Sequence, residues 1–329
     1  MWKFIVKRLF ISAIILFFVM AIIYTVIRCL PSSYLENMAR ALTTKPGAEP
    51  YDVLLARLEK LYDMDKGIVP GFLSWLGRVA TTGDFGVSWE FGIPVTQKFR
   101  EVIWYSFWLA AVAFVLEILI AVPLGIISAR KQYSRADYAI SVFALIGISL
   151  PTFFIATLLK LVFSSYLGWF DLYGAVGKMH ETMSDFGKFM DIVAHYVLPT
   201  MTLVIASIGS LMRYTRTNML EVLNSDYIRT ARAKGLSEER VINYHAFRNT
   251  LIPIVTILGG SLPGLFGGAM ITETLFQIPG IGYTSYLALI KGDINFAMFY
   301  MSFLAILTLL GTLIADILYA VVDPRVRVS

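Results

Sequence analysis

Apolar and polar stretches alternate along this chain at the spacing of membrane spans. Apolar runs cover Leu9 to Ile27, about Val102 to Ile127, Tyr138 to Leu167, Ile192 to Met212, Leu251 to Leu275 and Phe296 to Val322. A hydrocarbon core takes roughly 20 apolar residues per helix, so the pattern predicts six membrane helices. The first run follows Lys3, Lys7 and Arg8 as a signal peptide would, but it is too long and lacks a small-residue cleavage site, so it is expected to be a retained span. This gives an N-terminal helix over 1–30, a polar excursion over 31–99 and a membrane core over 100–329. Within the excursion, Tyr51 to Tyr62 sets Leu54, Leu58, Leu61 and Tyr62 on one face, which predicts a short amphipathic helix. A second polar loop lies between Gly168 and Met190.

One polar stretch has helical signals of its own. From Asn224 to Pro253, Ser225 or Asp226 can cap a first helix, Tyr227 to Ala233 extend it, Arg232 and Lys234 suit its negative end, and Gly235 stops it. Ser237 can cap a second helix whose first turn carries Glu238 and Glu239. A loop that only joins two spans needs no such capping. A rigid knuckle between two spans predicts a docking surface.

Charge then orients the spans. Lys3, Lys7, Arg8, Arg130, Lys131, Arg135, Arg213, Arg216, Arg229, Arg232, Lys234, Arg240, Arg248, Arg325 and Arg327 fall on one side, whereas the short loops opposite hold Lys178, Lys188 and Lys291. The positive-inside rule places the knuckle and both termini in the cytoplasm and the 31–99 excursion outside. Composition agrees: hydrophobic residues make up 57%, charged residues 16%, and the mean hydropathy is +0.69. The net charge of +5 is modest and spread between spans, which argues against nucleic acid. The lone Cys29 and the scattered His180, His195 and His245 form no metal-ligand spacing. No GxxxxGK[ST] loop is present to cradle nucleotide phosphates.

Glu117 and Glu273 are acidic residues inside apolar runs. Glu117 sits mid-span, where an ionisable group costs ~3 kcal/mol or more unless it faces protein or water. It is a candidate for lining a pathway or for a hydrogen bond that locks two helices. Glu273 lies at the outer end of the fifth run, with a structural role at an external gate expected. Lys160 is placed to snorkel toward the interface. The glycines of the fifth run, Gly259, Gly260, Gly264, Gly267 and Gly268, would let another helix approach closely.

The run RTARAKG followed by SEERVINYHAFRNTLIP is similar to the "EAA loop" of the membrane subunits of bacterial ABC importers, in particular the dipeptide, oligopeptide and nickel permease family. Here the Glu-Ala-Ala reads Arg229, Thr230, Ala231, and the usual Leu-Pro reads Ile252, Pro253. The segments GDFGVS (Gly83 to Ser88), AVPLGIISAR (Ala121 to Arg130), SLPTFFIATLL (Ser149 to Leu159), TETLFQIPGIG (Thr272 to Gly282) and DPRVR (Asp323 to Arg327) resemble that family in the same order. The resemblance implies an all-α type I importer fold of six spans with the large extracytoplasmic loop between helices 1 and 2. It implies a permease subunit, forming half of a pathway for di- or oligopeptides, oligosaccharides or nickel, in a bacterial or archaeal plasma membrane. Its partners would be a second related permease, two cytoplasmic ATPases and an external solute-binding protein. ATP and Mg would sit on the ATPases, and this chain would bind no cofactor and catalyse nothing. ATPase coupling would fall on Asp226, Tyr227, Arg229, Thr230, Ala231, Arg232, Ala233, Lys234, Gly235, Leu236 and His245. The rival from another class is a secondary transporter, which predicts related halves around a midplane site; no internal repeat of that kind is visible.

Overall fold

In a computed structural model of the chain, the described residues are 2–29, 34–44, 49–61 and 65–322. DPRVR and Tyr62 lie outside them. Helices follow one another from α1 (Trp2–Arg28) through α2 (Tyr34–Thr43), α3 (Tyr51–Leu61), α4 (Ile68–Thr82), α5 (Val95–Arg130), α6 (Arg135–Ser149) and α7 (Thr152–Leu159). A π-helical turn, Lys160–Tyr166, extends α7. Then come α8 (Asp185–Leu223), α9 (Asp226–Ala233), α10 (Glu238–Arg240), α11 (Phe247–Ser261), α12 (Met270–Phe276), α13 (Ile281–Lys291) and α14 (Ile294–Val322). The one β feature among the described residues is an isolated bridge between Val87 and Pro94.

Four stretches are long and apolar enough to cross a membrane as single helices: Ile5–Arg28, Val95–Arg130, Asp185–Leu223 and Ile294–Tyr319. Two bent pairs bring the number to as many as six. The expected third span is one of them, with α6 and the α7 segment meeting at 103°. Pro151 is the cause: its ring disfavours the helical region for the preceding residue, and Leu150 takes φ −87°, ψ 130°. The expected fifth span is also interrupted. It bends by 44° near Pro253, tightens to a 3₁₀ turn at Leu262–Phe266, and turns through Gly268 at φ +78° before α12. Pro123 and Pro199, by contrast, lie inside α5 and α8 without ending them.

The described residues divide into two compact units, one within 2–104 and 284–309, the other within 105–283 and 310–322. The first contains the 31–99 excursion, which is more helical than its polar composition predicts. α3 matches the amphipathic segment, and its Leu58 is buried with Leu35 and Ala39 of α2 and Trp89. α4 packs Phe72 and Trp75 against Met20, Tyr24 and Ile27 of α1. The GDFGVS segment is a turn, as its glycines predict: Gly83 closes α4 at φ +65°, and the Asp84 carboxylate accepts from the Gly86 amide at 2.8 Å. This loop docks on the α13–α14 turn. Buried Asp293 accepts from the Ser88 hydroxyl and, at 3.1 Å, from the Glu90 amide, while Asn295 donates to the Val87 carbonyl at 2.8 Å. Burial holds the Asp293 carboxyl above the usual carboxylate range, and the Ser88 hydroxyl and the backbone amides that donate to it offset this only in part.

In the second unit α8 is the central helix. It packs along α6 and α7, and glycine permits the approach: a Cβ on Gly147 of α6 would meet the Ile205 carbonyl of α8, and one on Gly209 of α8 would meet the Ala144 carbonyl of α6. The close contact expected of the fifth-run glycines is present as well, where Gly260 of α11 lies against Gly311 and Ala315 of α14.

Candidate functional site

The knuckle is built directly on the end of α8. Asn224 closes that helix, Ser225 precedes α9, and α9 ends at Ala233 with Lys234 at its C-cap. Ser225 and Ser237 occupy the predicted cap positions, but neither side chain caps a helix. The Ser225 hydroxyl donates instead to the Val222 carbonyl at 2.6 Å, satisfying the end of α8 rather than the start of α9. Gly235 follows in the left-handed region at φ +78°, as a helix stop requires. Across it, Arg232 forks onto the Glu238 carboxylate at 3.0 and 2.7 Å. That pair closes the knuckle and holds the guanidinium firmly charged.

One face of the knuckle is inside. Ile228 and Ala231 are buried with Val241, Ile242 and Ala246 of the return segment, Met219 of α8 and Ala129 of α5, and Leu236 packs partly against them. Ala231 therefore supports the knuckle from within. Asp226, Tyr227, Arg229, Thr230, Arg232, Ala233, Lys234 and Gly235 are exposed. His245 is half-buried, its ring set edge-on to Tyr244 with centroids 5.2 Å apart.

Beside this cluster lies an ionic network that residue patterns did not point to. Asp137 of α6 is buried and receives both arms of Arg216 of α8, Nε and Nη2 each at 2.9 Å. The Ser128 hydroxyl of α5 donates to the same carboxylate and accepts from Arg216 Nε at 3.1 Å. The Tyr133 amide donates to it at 2.9 Å. Three helices are thereby tied together at the root of the knuckle. A local signal was present, since Ser134 and Asp137 have the spacing of a capping box, and Ser134 does accept from the Asp137 amide at 3.3 Å. The partner 79 residues away has no local signature.

Glu117 and Glu273 stand apart from the knuckle in sequence and in role. Glu117, half-buried on α5, lies near Ser207 of α8, whose hydroxyl donates to the Val204 carbonyl at 3.4 Å. Glu273 is fully buried. Its carboxylate accepts from the amides of Ala269 at 2.8 Å and Tyr283 at 3.0 Å, and a Cβ on Gly280 or Gly282 would strike it. The TETLFQIPGIG segment is thus wrapped around its own glutamate, with Ser106 of α5 accepting from the Ile281 amide at 2.8 Å. Lys160 finds partners within the protein. Its ammonium donates to the Leu275 carbonyl at 2.6 Å and lies 3.8 Å from the centre of the Tyr173 ring, so it satisfies the C-terminal end of α12. His180 and His195 converge on Asp191, His180 Nδ1 lying 2.7 Å from the carboxylate.

The profile described as "Binding-protein-dependent transport system inner membrane component" matches residues 121–328, which take in the knuckle, the ionic network and Glu273. The chain belongs to that family. It is 35% identical to the oligopeptide transport system permease protein AppB of Bacillus subtilis (strain 168), over 99% of this chain and all of the relative. It is also 35% identical to the oligopeptide transport system permease protein OppB of Salmonella typhimurium, with the same coverage. Among solved structures it resembles a chain of the MetNI methionine ABC transporter in an inward-facing conformation, with a TM-score of 0.51 and 14% identity over 69% of this chain and 97% of that one. That likeness is one of fold: this is an all-helical membrane permease of the type I ABC importer class.

Proposed function

We propose that this chain is the permease subunit of an ATP-driven oligopeptide importer, forming half of the translocation pathway. The observation that carries the reading is the 35% identity to oligopeptide permeases along their whole length. In this reading the exposed face of α9, from Asp226 to Gly235, docks on one of two cytoplasmic ATPases, which bind the ATP and Mg. A second, related permease completes the pathway, an external solute-binding protein delivers the peptide, and this chain hydrolyses nothing. Residues 1–30 form the leading span, 31–99 an extracytoplasmic region and 100–329 the transport core with its coupling loop at 224–253. Both termini are cytoplasmic.

The geometry supports a coupling role because the knuckle is not slack. Its inner face shares one apolar cluster with α5 and α8, and the Asp137–Arg216–Ser128 network ties the same two helices to α6. A displacement of α9 is therefore passed to packed helices rather than absorbed in a loop. The test is reconstitution of this chain with its partner permease, ATPases and binding protein in vesicles. Oligopeptide uptake that requires ATP and the ATPases is expected. Uptake by the permeases alone under a proton or sodium gradient would establish the secondary-transporter reading instead.

A further inference from the structure

A groove opens in the second unit beside the knuckle. It encloses about 450 Å³ and is lined by Val122, Pro123, Ile126 and Ile127 of α5 and by Asn243 and Phe247 of the return segment. Asn243 is its one polar lining residue. The lining belongs to stretches apolar enough to cross a membrane, Val95–Arg130 and the Glu238–Phe266 pair, at the end where both meet the polar knuckle. The walls offer almost no hydrogen-bonding group to a water-soluble ligand, whereas an alkyl chain loses nothing there.

Charge marks one end of this groove. At 100° per residue Arg130 falls within about 60° of Pro123, Ile126 and Ile127 on α5, about 4.5 Å along the axis beyond Ile127. On the other wall, Arg240 immediately precedes the π-helical turn Val241–Ala246 that carries Asn243, and both arginines are exposed. The nearby acid Glu238 takes the two arms of Arg232 and also lies within the field of Arg130, which places Arg130 beside the start of the segment that carries Arg240; Glu239 and Lys131 are the other charged groups adjoining the two arginines in sequence. An apolar slot ending in two guanidinium groups, which suit phosphate oxygens, is complementary to one amphiphile. We propose that the groove holds an acyl chain of an anionic phospholipid from the leaflet on the knuckle side, with the headgroup phosphate at Arg130 and Arg240. A lipid seated there would brace α5 against the segment returning from the knuckle. The proposal concerns the bilayer around the chain and stands whatever solute is carried.

The experiment uses the full chain in vesicles of phosphatidylglycerol and phosphatidylcholine, with a photoactivatable group in the acyl chain of one lipid or the other. Crosslinked sites are mapped by mass spectrometry. Labelling of the peptides containing Val122–Ile127 and Asn243–Phe247 is expected to favour phosphatidylglycerol by on the order of tenfold, given two basic residues at the headgroup level. Arg130→Gln with Arg240→Gln should bring that ratio near one while labelling persists. Ile127→Trp, at a position 39% exposed and so free to accept bulk, should fill the groove and remove its label with both lipids, leaving label on α1 unchanged. Equal labelling by the two lipids in the native chain would overturn the proposal. So would groove labelling that survives Ile127→Trp, or an Ile127→Cys variant that crosslinks to a second protein chain in place of lipid. None of these readouts depends on transport, so they separate this inference from the importer reading.

Discussion

Gly235 offers the sharpest test of how the knuckle works. Its φ of +78° lies where side chains are strained, yet a Cβ built there meets no heavy atom within 4 Å. Replacement is therefore costly through the backbone alone, by about 1–2 kcal/mol for a residue with a Cβ. The Arg232–Glu238 pair that spans the turn is 42% and 56% exposed in its side chains, so it contributes under about 1 kcal/mol and cannot hold the turn against that strain. The buried cluster of Ile228, Ala231, Val241 and Ile242 is untouched, and the chain should remain folded. A strain of 1–2 kcal/mol lowers the population of the native turn by roughly 5- to 30-fold relative to its alternatives. In the assembled importer, Gly235→Val should lower uptake and substrate-stimulated ATP hydrolysis together by up to that factor, at unchanged expression and partner assembly. Gly235→Ala should be milder and Gly235→Asn milder still, since asparagine tolerates the left-handed region. Wild-type uptake by the Val variant would remove the turn from the mechanism. Asn and Val variants that were equally impaired would refute the backbone argument and indicate a clash with the docked partner.

Four further outcomes are expected. Glu273→Gln replaces one acceptor of a buried backbone N–H by a donor and should cost about 1–3 kcal/mol, read as a lowered Tm in detergent; an unchanged Tm would show that the TETLFQIPGIG turn does not depend on the carboxylate. Asp137→Asn and Arg216→Gln should each destabilise the core by about 3 kcal/mol, because either change leaves a poorly compensated buried charge or polar group, and the double variant should be clearly less than additive; strict additivity would deny their coupling. Glu117→Gln should transport nearly normally while Glu117→Leu impairs assembly by removing the polar group that α5 presents near Ser207 of α8, and a fully active Leu variant would sink that lock. In a Cys29→Ser background, a cysteine at Thr182 should react with an impermeant reagent from outside and one at Glu238 only from inside; external labelling at 238 would invert the proposed topology.

Much of this fold is local physics written along the chain. Apolar runs of bilayer length, the basic residues between them and the glycine that stops α9 act over one span or one turn, so they can be read without knowing what packs where. The exposed surface of the knuckle was legible for the same reason: capping positions, helix formers and Gly235 lie within a dozen residues of one another. Position along α9 did not reveal which side faces inward. Ala231 turned out buried because Ile228, three residues earlier, is drawn to Val241 and Ile242, and that depends on the path of the return segment. Chain path also decided the rest. Pro123 and Pro151 both stand inside apolar runs where neighbouring helices could repair the freed carbonyls, yet Pro123 stays within α5 and Pro151 falls at a 103° bend, a difference that the runs themselves do not specify. Arg216 looked like an ordinary flanking charge until the fold set it 2.9 Å from Asp137. That the loop around Glu273 closes over its carboxylate, and that the Lys160 ammonium meets the Leu275 carbonyl, is specified only by the fold. A buried polar group takes whichever partner satisfies it, and when that partner arrives from a distant helix, only the assembled tertiary structure specifies which one it is.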